Sequence, residues 1–145
     1  RYGALLEKTF VIFRVAPLCR NRRKEISKLR KIYFFDTGIR NALIEAYHDF
    51  SLRTDVGVIW ENFLMSERYK LMAGELRQVN RYFWRTYDQR EIDYIEEEEG
   101  VLSGYEFKWK NETYRPPKAF VDLYPKTPVQ LVTKENFIDF CAIAK

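Results

Sequence analysis

The sequence predicts an α/β domain, and three observations support this fold class. A length of 145 residues suits one domain with a short appended element. Residues 57–73 carry a broad apolar stripe at helical spacing. Residues 82–110 contain three consecutive segments in which side chains alternate as they do along a strand. With a later helix and strand, the second part of the chain is predicted to have the order helix, strand, strand, strand, helix, strand.

The N-terminal part predicts a helix, a β-hairpin and a second helix. Residues 2–6 are typical of a helix end, residues 10–15 predict a strand that Pro17 stops, and residues 31–35 predict a second strand. Asp36 or Thr37 can cap a helix over residues 39–46, and residues 47–54 are polar enough for a loop. We therefore assign residues 1–56 to an N-terminal extension and residues 57–145 to the core.

The three central strands are separated by two predicted turns. Residues 82–87 and 90–96 flank a tight turn at Asp88 and Gln89. The run of glutamates over residues 96–99, followed by Gly100, predicts a second, solvated turn. Residues 101–110 then alternate again and place on one face Glu106, Lys108 and Lys110.

The C-terminal part completes the core. Pro116 and Pro117 can open a short helix over residues 118–124, because proline suits a first helical turn. Residues 129–133 are β-branched and apolar, which predicts a strand. Residues 134–144 predict a final amphipathic helix.

Composition narrows the class of protein. The only histidine is His48, and the two cysteines, Cys19 and Cys141, lack metal-binding spacing, which argues against a zinc site. No apolar run approaches the ~20 residues that a membrane span needs, and no signal peptide is present. These features predict a cytoplasmic protein without a membrane partner. The chain starts with Arg1 rather than Met, so we expect it to be a piece of a longer protein.

Four ionisable side chains form a candidate site. Glu61 lies on or beside the apolar stripe of the long helix, an unusual place for a carboxylate. Asp93 lies on the second central strand, and Glu106 and Lys108 lie on the third. A meander can place Asp93 beside Glu106, which would bring two carboxylates and one ammonium onto one sheet face.

These elements and positions resemble the PD-(D/E)XK nuclease superfamily, whose core has the order αβββαβ. Asp93 matches the motif aspartate, Glu106 and Lys108 match the (D/E)XK pair, and Glu61 matches the helix glutamate. Ile92 stands where the motif name has proline. The fold implied is a restriction-endonuclease-like core preceded by a short helix and a β-hairpin.

A resemblance to a second group spans nearly the whole chain. The stretches FVIFRV, KIYFFDTGIRNAL, GVIWENFLMSE, REIDYI and GYEFKWK are similar to the C-terminal domain of unknown function of bacterial and archaeal AAA-type ATPases. In those proteins an N-terminal module carries the phosphate loop. No G-x-x-x-x-G-K-[ST] motif occurs here, so ATP would bind only through a missing N-terminal module, which would also be a partner of this domain.

The resemblance implies a Mg²⁺-dependent endonuclease that acts on nucleic acid, most readily DNA. Asp93, Glu106 and the backbone carbonyl of Phe107 would hold Mg²⁺ or Mn²⁺. Lys108 would orient a water molecule or offset charge on phosphate, and Glu61 would position a further ligand or water.

A basic run predicts contacts with nucleic-acid phosphates. Its cationic residues lie in the predicted hairpin connection, which would resemble a wing lying on a duplex. The alternative is a solvated hairpin without a partner. The candidate phosphate-binding residues are Arg20, Arg22, Arg23, Lys24 and Lys28.

Two other interpretations of the chain compete with the nuclease. Glu106 and Lys108 are also compatible with an ordinary solvated strand face or a cross-strand ion pair, since 32% of the residues are charged. The domain would then be a non-catalytic module that binds nucleic acid or protein for the ATPase. A third possibility is a scaffold that serves only in assembly.

Overall fold

The computed structural model describes residues 2–19 and 28–142, and it confirms the α/β class. All predicted helices and strands are present, with changes at their ends. A single 3₁₀ turn, Phe50–Leu52, interrupts the predicted loop. In chain order the elements are α1 (Tyr2–Lys8), β1 (Ile12–Pro17), β2 (Lys31–Phe34), α2 (Thr37–Leu43), α3 (Val56–Gly74), β3 (Asn80–Arg85), β4 (Glu91–Glu98), β5 (Val101–Phe107), α4 (Lys118–Leu123), β6 (Val129–Val132) and α5 (Phe137–Cys141).

The strands form one mixed, six-stranded sheet with the order β2-β1-β3-β4-β5-β6. Strands β3, β4 and β5 are the predicted antiparallel meander, and β6 adds to β5 in parallel. The β1–β2 hairpin joins the same sheet, because β1 pairs in parallel with β3. Strands β2 and β4 therefore begin at the end of the sheet where β1, β3 and β5 finish.

Helices cover both faces of the sheet. Leu64 and Met65 of α3 pack with Tyr94 and Phe107 against one face, together with Phe140 of α5. Phe120 of α4 packs against the other face in a second cluster that also contains Trp84, Ile92 and Ile95. Such three-layer packing buries the apolar sides of the sheet and of α3, α4 and α5, whereas α1 and α2 bury no residue. No helix in the described ranges is both long and apolar enough to cross a bilayer.

The prediction that Pro17 stops the first strand is confirmed, although Pro17 itself belongs to the strand. Pro17 is the last residue of β1, where it lies beside Phe83 of β3. The next amide, of Leu18, donates to the Phe83 carbonyl at 2.7 Å. Proline is tolerated here because amides alternate in direction along a strand. The Leu18 amide points to β3, so the missing amide of Pro17 would point to the β2 side, where the pairing of β1 ends at Val15 and Lys31.

The glutamate run is more structured than predicted. Strand β4 continues to Glu98, so the turn contains only Glu99 and Gly100, whose φ angles are 51° and 79°. Glu96 is buried, with 6% of its surface exposed, because Arg68 of α3 pairs with both of its oxygens. The prediction of a solvated turn was therefore wrong for Glu96.

Two other elements are shorter than predicted by three residues or more. Strand β5 ends at Phe107 rather than at residue 110. Helix α5 begins at Phe137, because the amide of Thr133 donates to the Asn136 side chain at 2.7 Å and forms a turn in front of the helix. The predicted end of this helix at residue 144 lies outside the described residues.

Two glycines give opposite predictions for the same substitution. Neither Gly100 nor Gly57 has an atom within 4 Å of the position of an added Cβ, but only Gly100 has a positive φ, +79°. We expect Gly100→Ala to lower the free energy of unfolding by about 1 kcal/mol. Gly57→Ala, in helix α3, should raise it by about 0.5–1 kcal/mol. Urea unfolding of both variants checks this, and equal effects would contradict the turn geometry.

Candidate functional site

A β-bulge in β4 directs Asp93 toward helix α3. Tyr82 of β3 pairs with Ile95, whereas Trp84 pairs with Ile92, so Asp93 and Tyr94 together face one residue of β3. Ile92 and Ile95 pack on the α4 side of the sheet, while Tyr94 packs on the α3 side. A bulge of this kind changes which face a side chain points to, and it is common beside functional sites. The bulge therefore places the carboxylate of Asp93 near α3.

Strands β4 and β5 separate at the same place. Their ladder runs as far as the pair of Tyr94 and Tyr105. Beyond it, the amide of Phe107 donates to Asp93 Oδ2 at 2.9 Å, so a side chain takes the place of a backbone acceptor. Strand β5 continues alongside β6 through Phe107. The site thus lies in the opening between two strands at the end of the sheet.

Helix α3 is fixed against the edge strand β2 by one side chain. Asn62 accepts a hydrogen bond from the amide of Phe34 at 2.9 Å and donates to its carbonyl at 2.8 Å. The preceding residue, Glu61, accepts hydrogen bonds from Lys31 Nζ at 2.9 Å and from the Tyr33 hydroxyl at 2.6 Å. The sequence pair Glu61–Asn62 therefore both fastens the helix and positions a carboxylate over β2.

Three carboxylates converge on Lys31. Glu61, Glu91 and Asp93 each offer an oxygen, and these oxygens lie within 4.8 Å of one another. The Lys31 Nζ atom lies 3.7 Å from Asp93 Oδ1 and contacts Glu91 directly. Arg85 also approaches Glu91, at 3.5 Å. The ammonium of Lys31 is thus the cation at the centre of this acidic group.

Glu106 and Lys108 form a neighbouring pair. Lys108 Nζ lies 3.1 Å from Glu106 Oε1, and the lysine side chain is 38% exposed while that of Glu106 is 9% exposed. Glu106 Oε2 and the Tyr114 hydroxyl are both buried and find no other hydrogen-bond partner among the described residues. Burial, the nearby charge of Glu106 and a hydrogen bond to it raise the pKa of Tyr114 above its usual value, and Asp93 adds to the effect. Tyr114 thus lies beside Glu106 as a buried hydroxyl that can share this carboxylate with a further ligand.

The electrostatics of Asp93 reflect this crowding. Burial, together with the charges of Glu61 and Glu106, raises the pKa of Asp93 to about 7, although Lys31 and the Phe107 amide act in the opposite direction. Burial also raises the pKa of Glu106, and Lys108 partly offsets that rise. Asp93 can therefore exchange a proton close to neutral pH.

The pKa values of the two lysines are shifted in the direction that favours their charged forms. Burial alone would lower the pKa of Lys31, but Glu61, Asp93 and Glu91 outweigh it and raise the pKa well above the usual range. The pKa of Lys108 is raised in the same way, because Glu106 outweighs its burial. Both lysines are therefore charged at neutral pH.

The donor set suits a hard divalent cation. Ligand oxygens on opposite sides of Mg²⁺ or Ca²⁺ are about 4 to 5 Å apart, and the three carboxylates lie within that span. All of the donors are oxygens, the type that Mg²⁺, Mn²⁺ and Ca²⁺ prefer. Glu61, Glu91 and Asp93 could hold such an ion, and Glu106 is close enough for its charge to act on Asp93.

The structure places the predicted site residues in two adjoining groups. Glu61 and Asp93 lie in the acidic group around Lys31, and Glu106 pairs with Lys108 next to it. Phe107 approaches Asp93 through its amide, and its carbonyl as a metal ligand stays a prediction. Lys28 is exposed and lies just before β2. The other predicted phosphate-binding residues, Arg20, Arg22, Arg23 and Lys24, lie outside the described residues.

Three residues of the site were not predicted from the sequence. Glu91 stands two positions before Asp93, and this strand spacing was an available signal. Lys31 and Tyr33 have the same spacing in β2, but nothing in the sequence indicates that this strand faces Glu61. Only the arrangement of β2 against α3 reveals their role.

Residues 56–142 match the family described as "Domain of unknown function (DUF4143)", which covers more than half of the chain. The chain belongs to this family. Residues 1–49 match a second family, described as "Domain of unknown function (DUF8612)". The carboxylates of the site thus lie in the DUF4143 segment, and Lys31 lies in the other.

Two mycobacterial proteins resemble this DUF4143 chain. Each is named only as an uncharacterized protein, one from Mycobacterium bovis and one from Mycobacterium tuberculosis. Both are 29% identical to it over 110 residues, which are 74% of this chain and 24% of the relative. The chain therefore spans about a quarter of the length of these relatives. No solved structure matches it.

Proposed function

We propose that this DUF4143 chain is a divalent-cation-dependent nuclease domain with a PD-(D/E)XK-type core. The observation that carries the proposal is the meeting of Glu61, Asp93 and Glu106, from three different elements, where β4 and β5 separate. Glu91 adds a fourth carboxylate to the same place. The order helix, three strands, helix, strand from α3 to β6 supports the same core.

The reaction would be hydrolysis of a phosphodiester, in which water attacks phosphorus and one P–O bond breaks. Glu61, Glu91 and Asp93 would hold Mg²⁺ or Mn²⁺, which when bound polarises a phosphoryl oxygen and acidifies water. Glu106, which also bonds the Tyr114 hydroxyl, would accept a hydrogen bond from the attacking water. Lys108, exposed enough to reach a substrate, would offset the charge that develops on phosphate.

The arrangement of the strands also favours a nucleic-acid substrate over a small phosphodiester. The site lies at the end of the sheet where β1 finishes and β2 begins, so Lys28, a member of the predicted phosphate-binding set that precedes β2, lies at that end. Lys28 would bind a phosphate beside the scissile bond. We also propose that this domain is part of a longer protein in which an N-terminal AAA-type ATPase module is its partner.

Cleavage assays test the proposal. We expect the protein to cut plasmid or branched DNA with Mg²⁺ or Mn²⁺ and to lose this activity in EDTA. Glu91→Gln should reduce the rate by about 100-fold or more, because it removes one charged oxygen donor from the site. The matched control is Glu99→Gln, which changes an exposed glutamate in the turn after β4. It should cut at the wild-type rate.

Two results would contradict the nuclease proposal. Wild-type cleavage rates in Glu91→Gln would show that the acidic group does not carry the reaction. Absence of cleavage on every DNA and RNA substrate, with retained nucleic-acid binding, would favour the non-catalytic module instead. In that case binding should weaken with salt and when Arg22, Arg23 and Lys24 are replaced.

A further inference from the structure

We propose that Lys31 is an internal counter-ion of the acidic site and that a divalent cation must displace it in order to bind. This inference rests on the proposed metal-dependent function and adds the residue that sets the metal affinity. Lys31 belongs to β2, outside the segment that supplies the carboxylates. The affinity of the site would therefore be set by the N-terminal hairpin.

The first argument is the position of the ammonium. Lys31 Nζ lies 2.9 Å from Glu61 Oε1 and 3.7 Å from Asp93 Oδ1, and it contacts Glu91. The carboxylates of these same three residues have oxygens within 4.8 Å of one another, as ligands of one ion would. An ammonium and a divalent cation cannot both contact this small group of oxygens without strong repulsion.

The second argument is the charge balance of the site. Four carboxylates face it: Glu61, Glu91, Asp93 and Glu106. Among the described residues, three cations offset them. They are Lys31, Lys108 and Arg85. Lys31 alone contacts all three carboxylates of the acidic group, whereas Lys108 contacts Glu106 and Arg85 contacts Glu91. Removing the charge of Lys31 therefore leaves the acidic group less compensated than removing the charge of Lys108 or of Arg85 would.

The third argument is that Lys31 can leave while its backbone stays paired. It is the first residue of β2, and the residues before it, 28–30, are exposed. The side chain is 19% exposed, so a rotation about its flexible bonds can carry the ammonium into solvent. The move breaks ion pairs and the contact of Nζ with the Phe83 ring at 5.4 Å, but it breaks no backbone hydrogen bond.

Calorimetric titration of Mn²⁺ and Mg²⁺ tests this inference without measuring activity. We expect Lys31→Met to bind the ion about 10- to 100-fold more tightly than wild type, because a positive charge next to the ion is removed. Lys70→Met is the matched control: Lys70 is also a lysine of an ion pair, with Glu67 at 2.8 Å, but it is half exposed on α3. This variant should bind the ion as wild type does.

A second measurement uses the wild-type protein and does not depend on a folded variant. In side-chain ammonium NMR spectra, the Lys31 signal should move on saturation with Mg²⁺, while that of Lys70 should not. An unchanged Lys31 signal with Mg²⁺ bound would overturn the inference.

The pattern of results separates this inference from the proposed function. Equal affinity of wild type and Lys31→Met, or weaker binding by the variant, overturns the counter-ion role but leaves the nuclease proposal standing. Binding by Lys31→Met alone supports the counter-ion role and would explain an inactive wild-type domain. Absence of binding in both proteins overturns both proposals, because no metal site then exists.

Discussion

Asp93→Asn is expected to raise the free energy of unfolding at pH 8 by about 2–4 kcal/mol in metal-free buffer. The native carboxyl has a pKa of about 7, compared with 3.8 for the ordinary group, because it is buried beside Glu61 and Glu106. Each unit of such a shift corresponds to about 1.4 kcal/mol. Asparagine keeps an oxygen for the Phe107 amide but carries no charge to be buried. We therefore expect Asp93, a residue proposed for catalysis, to reduce the stability of the fold when it is charged.

The sign of the pH dependence follows from proton binding. Between pH 3.8 and about 7 the native Asp93 binds more protons than the unfolded one, so wild-type stability falls as pH rises through this interval. Asp93→Asn should remove this contribution, and the two proteins should converge near pH 4. Denaturant unfolding from pH 4 to 8 in EDTA measures the difference.

Asp55→Asn is the control of opposite sign. Hydrogen bonds from Arg53 and Arg40 lower the pKa of Asp55 to about 2. Its contribution to stability is present above pH 3.8 and is lost as the pH falls toward 2. The substitution should therefore destabilise the protein at pH 8. If Asp93→Asn also destabilises the protein at pH 8, the buried charge of Asp93 does not cost the fold stability.

Glu96→Ala should lower the free energy of unfolding by about 3–5 kcal/mol, the largest effect that we expect from a single substitution outside the site. The change leaves the guanidinium of Arg68 without its partner, and the side chains of this pair are only 12% and 8% exposed. Arg68 also donates to the Phe140 carbonyl at 2.6 Å and lies over the ring of that residue. Thermal unfolding should show a fall in Tm of about 10 °C.

Two further variants show how much of the expected loss of stability comes from the burial of the ion pair. Arg77 and Glu98 form an ion pair of the same type, but both side chains are 39% exposed, so Glu98→Ala should have little effect. The double variant Arg68→Met/Glu96→Leu should recover most of the lost stability, because it leaves no unpaired charge. If Glu96→Ala costs no more than Glu98→Ala, the buried pair is not a major stabilising contact.

Local patterns were sufficient to predict most elements of the fold. Alternation identified β3, β4 and β5, and the apolar stripe identified α3, because each pattern reflects neighbours within one segment. The same patterns placed Glu61 on α3 and Asp93 on β4. They gave no sign of the bulge opposite Phe83, which depends on how two strands pair. Hence the direction of Asp93 had to come from the structure.

The central cation shows why the rest of the site was not predicted. Lys31 reaches Glu61 and Asp93 only because β1 pairs in parallel with β3, joining residues 16–17 to residues 82–83. Periodicity within a segment carries no information about such a distant pairing. Lys108 is separated from Asp93 by much less of the chain, and it was therefore the lysine that the sequence suggested.

The pairing of β1 with β3 also makes the two family segments depend on each other structurally. The segment over residues 1–49 carries Lys31, and the segment over residues 56–142 carries the carboxylates that surround it. Recombination that exchanged the first segment would have to supply both a strand for the open edge of β3 and a cation for the second segment. The two segments are thus expected to evolve as one unit, although each is recognised as a separate family.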